Sequence, residues 1–167
     1  MSSYQRIYLS LMDEKATQDL GRVCASVAQT GDVFLLHGDL GMGKSVFSRA
    51  FIGGLNPDIT DVPSPTFTIV QHYDTPKGRV DHYDLYRLED EDELHEIGFD
   101  ESLTRAICLV EWPDRLGAHM PEDALVLALK PHADDKTARR AYIEGKTERL
   151  SGLSWPDSVT IENITDI

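Results

Sequence analysis

Residues 5–9 alternate polar and apolar positions, the period-two pattern of a strand with one buried face. Asp13 follows as an N-cap for a helix whose apolar positions, Leu20, Val23, Cys24 and Val27, recur at helical spacing. Gly31-Asp32 closes that helix, and the continuous apolar run 33–36 reads as a buried strand. Beyond a glycine-rich loop the pattern turns helical again. Val46, Phe47, Ala50 and Phe51 share one face, and Gly53-Gly54 is expected to stop this second helix. Strand, helix, strand, loop, helix is the order expected at the core of a parallel α/β sheet.

Two prolines in Asp61-Val62-Pro63-Ser64-Pro65-Thr66-Phe67-Thr68 forbid helix and hold the chain extended ahead of a strand at 68–73. Thr75-Pro76-Lys77-Gly78 has turn chemistry, so 69–73 and 79–83 pair as a hairpin, with Asp84 leaving its second strand. Val80, His82 and Asp84 fall on one face of that strand. Residues 89–96 are strongly acidic, and with Leu85, Leu88 and Leu94 near helical spacing they predict a solvated helix. Residues 106–110 form a continuous apolar strand that delivers Glu111 at its C-terminal end, and Pro113 suits the first turn of a following helix. Residues 124–129 and 138–144 read as two further strands, and 157–167 as an edge strand or a mobile tail.

The loop is where the chemistry concentrates. Gly38-Asp39-Leu40-Gly41-Met42-Gly43-Lys44-Ser45 is a complete G-x-x-x-x-G-K-S phosphate loop between a strand and a helix. Its glycines let successive N–H groups turn toward phosphate oxygens, and the helix start adds a positive dipole end. A nucleoside triphosphate, ATP or ADP, is the expected ligand, with Lys44 on the β- and γ-phosphates, Ser45 on Mg²⁺ and Val46 in the adjoining helical turn. Thr66 is either a switch hydroxyl that meets the γ-phosphate or part of a rigid connector. Asp84 either orients attacking water, binds Mg²⁺ through water or caps the next turn, and Glu111 stands where a Walker B acid would. Trp112 reads as a packing residue at the nucleotide edge. The fold expected is a P-loop NTPase-like three-layer α/β/α arrangement, its central sheet mostly parallel with one antiparallel hairpin, in a single domain over 1–167.

Composition narrows this picture. A formal charge of −13 disfavours unaided capture of a polyanion, so any RNA is expected to be held by partner proteins. No apolar run approaches the roughly 20 residues of a membrane span, and no secretory leader is evident, so a cytoplasmic protein is expected. Cys24 and Cys108 lie far apart in apolar surroundings and read as buried thiols rather than a disulfide or zinc site.

The phosphate loop, Ser64-Pro65-Thr66-Phe67, His82-Tyr83-Asp84-Leu85-Tyr86-Arg87 and Val110-Glu111-Trp112-Pro113 occur together in this order, and the set resembles the TsaE family, formerly YjeE, over roughly 9–129. The resemblance implies a small ATPase that works with the TsaB and TsaD proteins to make N6-threonylcarbamoyladenosine beside the tRNA anticodon. It also implies Lys44 as phosphate ligand, Ser45 and Glu111 as magnesium ligands, Thr66 as switch threonine, Asp84 as catalytic carboxylate, and Trp112 close to the nucleotide. Met42 and Ser45 depart from the family's usual Ala and Thr; the first is a variable position and the second keeps its hydroxyl. A small-molecule kinase is the rival enzyme, though no arginine-rich lid stands out, and a non-catalytic nucleotide switch is the rival of another class.

Overall fold

In the computed structural model, which describes residues 3–167, the strands are β1 (Tyr4–Leu11), β2 (Val33–His37), β3 (Val70–Thr75), β4 (Gly78–Asp84), β5 (Ala106–Glu111), β6 (Leu125–Pro131), β7 (Arg139–Lys146) and β8 (Val159–Asp166). They form one sheet in the order β3-β4-β5-β2-β6-β7-β1-β8. The helices are α1 (Glu14–Val27), α2 (Lys44–Leu55), α3 (Glu93–Glu96), α4 (Phe99–Arg105) and α5 (Thr147–Leu150), with a 3-10 segment at Pro113–His119.

Both faces of the central strands are covered, because alternate side chains of β2 serve different layers. Phe34 and Leu36 pack with Leu20 and Cys24 of α1 and Phe47 and Phe51 of α2. Val33 and Leu35 pack with Tyr83, Leu94, Phe99 and Leu116 on the other side. Phe34 meets Phe51 edge-on at 4.9 Å, and Tyr83 meets Phe99 at 5.3 Å. Every residue of β5 is buried, as its unbroken apolar run requires. Burying Phe47 and Phe51 completely contributes roughly 2–3 kcal/mol each.

Parallel pairing is confined to the centre, β4-β5-β2-β6, and four of the seven pairings in the sheet are antiparallel. The first strand is therefore not part of the parallel core. It crosses to the far side and pairs antiparallel with β7 and β8, where Ile7, Leu9 and Leu11 cover the α1 face of the sheet beside Ala141 and Ile143. The C-terminal segment closes that side as the edge strand β8.

Local boundaries follow from identifiable contacts. Asp13 caps α1 as its position predicts, its Oδ1 accepting from Ala16 N–H at 2.8 Å. Gly53 and Gly54 do not stop α2, which runs on to Leu55. A Cβ on Gly54 would stand 3.3 Å from that of Ala25 in α1, so here the missing side chain permits close helix packing. Gly21 does the same from α1. The acidic helix shrinks to the single turn α3, because Glu89–Asp92 turns to let Leu88 and Leu94 both reach the core. β3 starts at Val70 because Ile69 is left-handed, at φ +68°.

The two glycine environments give opposite predictions. A Cβ at Gly21 would lie 2.7 Å from Phe47 O, whereas one at Gly53 meets nothing within 4 Å. Gly21→Ala should lower stability by about 1–2 kcal/mol through overpacking, and Gly53→Ala should raise it by about 0.5–1 kcal/mol through helix propensity. Urea unfolding of both variants measures the two signs.

Candidate functional site

The C-terminal ends of β2, β4 and β5 lie side by side, with Leu36 in register with Glu111 and Glu111 with Asp84. Open parallel sheets place ligands at this edge. The loop 38–43 springs from it. Gly38 has Leu129 O where its side chain would stand, 3.0 Å from a built Cβ, and Gly43 takes φ +109° to start α2. Asp39 and Leu40 form an exposed tip beside exposed Gly41, while Met42 packs its side chain onto the main core. Ser45 and Val46 lie in the first turn of α2, half-buried, where free N–H groups and the helix dipole favour an anion.

Lys44 opens α2 and is buried. Its ammonium donates to Gly38 O and sits 3.9 Å from the Trp112 ring centroid. Burial pushes its pKa down, against the fields of Glu111, Asp84 and Asp39, which raise it. Trp112 reaches it from the junction of β5 and the 3-10 segment, in a left-handed conformation at φ +56°, with Tyr86 packed at 5.0 Å between ring centroids. Pro113 begins the 3-10 segment.

Asp84 performs the capping duty and also meets the proline loop. Its Oδ1 accepts from Tyr86 N–H at 3.0 Å, and its Oδ2 accepts from Thr66 Oγ1 at 3.0 Å. Ser64 Oγ stands 2.8 Å from the same threonine hydroxyl. Ile69 N–H donates to Pro65 O and Asp84 N–H to Ile69 O, so the loop folds back onto the end of β4. Glu111 is buried, with Oε2 2.8 Å from His82 Nε2. The geometry thus brings Lys44, Thr66, Asp84, Glu111 and Trp112 around one loop.

These groups fit a phosphate chain and a hard cation. Ser45, Thr66, Asp84 and Glu111 are all oxygen donors, the chemistry Mg²⁺ prefers. Among the described residues no three His, Cys, Asp or Glu side chains make a metal cage.

Two residues at the site carry no role in the sequence reading, although His82 opens the stretch His82-Tyr83-Asp84-Leu85-Tyr86-Arg87. Strand alternation puts His82 on the face of Asp84 but assigns it no task. Arg139, at the start of β7, donates from Nε to Met42 O and from Nη2 to Gly41 O, both at 3.2 Å. Its partners are backbone carbonyls about a hundred positions away, so no local pattern reveals it. Clefts of about 450 Å³ and 380 Å³ flank the loop, one lined by Asp13, Thr17, Val46 and Arg139, the other by His37, Trp112 and Lys130. A larger cleft of about 630 Å³ lies at the C-terminal end of α1, where Lys77 and Arg149 already serve the last helix carbonyls.

A family model described as "Threonylcarbamoyl adenosine biosynthesis protein TsaE" matches residues 11–141. The chain belongs to the TsaE family. The tRNA threonylcarbamoyladenosine biosynthesis protein TsaE of Rickettsia bellii is 35% identical over 126 residues, 75% of this chain and 88% of that protein. The protein of the same name from Bacillus subtilis is 38% identical over 127 residues, 75% of this chain and 78% of that one. The crystal structure of Bacillus subtilis YdiB superposes with a TM-score of 0.71 at 28% identity, covering 87% of this chain and 89% of that chain. The family is thus one of threonylcarbamoyladenosine biosynthesis. The TsaE match spans the phosphate loop through Arg139 and omits β8.

Arg139→Ala should weaken nucleotide binding about ten-fold, because losing two charge-assisted bonds frees the loop carbonyls at a cost of about 1–2 kcal/mol. Calorimetric titration with ADP, alongside an unchanged circular dichroism spectrum, tests this.

Proposed function

We propose that this chain is the Mg²⁺-dependent ATPase subunit of tRNA threonylcarbamoyladenosine synthesis. It acts in the cytoplasm with the TsaB and TsaD proteins and reaches tRNA only through them. The observation that carries the reading is the convergence of Lys44, Asp84 and Glu111 on one phosphate loop, with Thr66 tied to Asp84. Lys44 and the N-terminus of α2 neutralise charge that develops on the transferred phosphoryl group. Asp84 orients the attacking water. Mg²⁺ held by Ser45 and Glu111 supplies Lewis-acid neutralisation of the phosphate oxygens.

Thr66 is the element that distinguishes nucleotide states. Its hydroxyl pairs with Asp84 and Ser64, and exchanging those partners for a γ-phosphate would reshape the loop 61–68. The reshaped loop, with exposed Phe67 at its tip, forms the docking surface for the TsaB and TsaD heterodimer. Hydrolysis then resets the complex between rounds of modification. The net charge of −13 supports this division of labour, since it leaves the polyanionic tRNA to the partners.

Single-turnover ATP hydrolysis, with and without purified heterodimer, tests the proposal. Turnover should be slow alone and rise with the heterodimer, because a partner that prefers the competent state populates it. No complex and no change in rate, with both partners folded, would overturn it and favour the kinase alternative. Lys44→Ala should abolish turnover and weaken triphosphate binding. Thr66→Ala should cut hydrolysis at least ten-fold while ADP affinity stays within about two-fold, since its role begins with the γ-phosphate. Equal loss of ADP and ATP-analogue binding would make the loop a rigid connector.

A further inference from the structure

His82 is a buried titratable group with no part in the proposed hydrolysis. Its side chain is 2% exposed, on β4, two positions before Asp84 and on the same face. Nε2 lies 2.8 Å from Glu111 Oε2, across the parallel pair β4-β5, and Nδ1 is buried with no hydrogen-bond partner. Those facts decide where the proton is. A proton on Nδ1 would be an orphaned buried donor and would set a bare nitrogen lone pair against a carboxylate oxygen. A proton on Nε2 makes the contact with Glu111 a hydrogen bond and leaves only an acceptor nitrogen unpaired at Nδ1.

We propose that His82 is the positioning residue for Glu111. It donates from Nε2 to Oε2 and fixes rotation about the last side-chain bond. The carboxylate is thereby presented to the phosphate-loop cation by its other oxygen. The inference rests on Glu111 being a magnesium ligand, and it assigns His82 the outer hydrogen bond that orients such a ligand. A carboxylate at the end of a three-bond side chain is otherwise free to rotate out of line. Its backbone is already held by the β4-β5 ladder, and the contact from His82 supplies the missing constraint.

The test is the Mg²⁺ dependence of binding for a non-hydrolysable ATP analogue, titrated from EDTA upward, so no turnover is required. His82→Ala should raise the Mg²⁺ midpoint about ten-fold, the usual effect of deleting an outer-shell partner, while affinity in EDTA stays within about two-fold. His82→Gln, whose amide N–H reaches the same oxygen, should recover most of the loss. His82→Ala should add little in a Glu111→Gln background, because the charged ligand that His82 positions is no longer there. If His82→Ala does not fold, His82→Asn, whose amide is too short to reach Glu111, serves as the loss variant. An unchanged midpoint in the loss variant, or an equal loss of affinity in EDTA, overturns the inference. If Glu111→Gln shifts the midpoint and the His82 variants do not, only the role of His82 falls. If Glu111→Gln also leaves the midpoint unchanged, the magnesium-ligand reading falls with it.

Discussion

The structure depends on keeping an ammonium group buried at the C-terminal edge of a parallel sheet. Removing a charge from water is costly unless partners replace the solvent, and Lys44 has three kinds of partner. Gly38 offers a carbonyl, Trp112 offers the face of its ring, and Glu111, Asp84 and Asp39 supply the opposing field. Each partner imposes something on the chain that carries it. Gly38 must come close to Leu129 O, where no side chain fits, and Trp112 must adopt a left-handed backbone at the end of β5. Backbone strain at a non-glycine residue persists where the surroundings over-determine it, and here they do so beside the phosphate loop.

The sheet divides the remaining labour. Its parallel centre supplies the strand ends, and with them the carboxylates, at one edge and one height. The strands β6 and β7, where the pairing turns antiparallel, hold the loop from behind. Leu129 of β6 abuts Gly38, and Arg139 of β7 takes the carbonyls of Gly41 and Met42. A loop held only at its two ends would present its N–H groups to phosphate in many orientations. Pinning its carbonyl side narrows that set in advance, so less ordering remains to be done on binding.

The proline loop is anchored differently, through side chains. Thr66 is held by Asp84 and Ser64 rather than by a ladder of backbone bonds. Hydroxyl contacts of this kind are individually worth about 1–3 kcal/mol, little enough for a phosphate group to outcompete them. Arg87 lies over the ring of Phe67, 4.2 Å from its centroid, so the loop tip presents an aromatic group and a cation together at the mouth of the site.

Features governed by neighbours along the chain are legible in the amino-acid sequence. The cap at Asp13, the buried strand ending in Glu111, the turn at 75–78 and the phosphate loop all arise from local backbone chemistry and side-chain period, and the sequence alone suffices for each. The pairing partner of β1 is not legible, because an alternating strand has the same pattern at either edge or in either direction. Gly53-Gly54 reads as a helix stop, and only the approach of α1 reveals Gly54 as a packing position. The His82 contact to Glu111 and the Arg139 contact to the loop join residues 29 and about a hundred positions apart. Such contacts carry no periodic or spacing signature, since they are made by strand order and register, which exist only once the sheet has assembled.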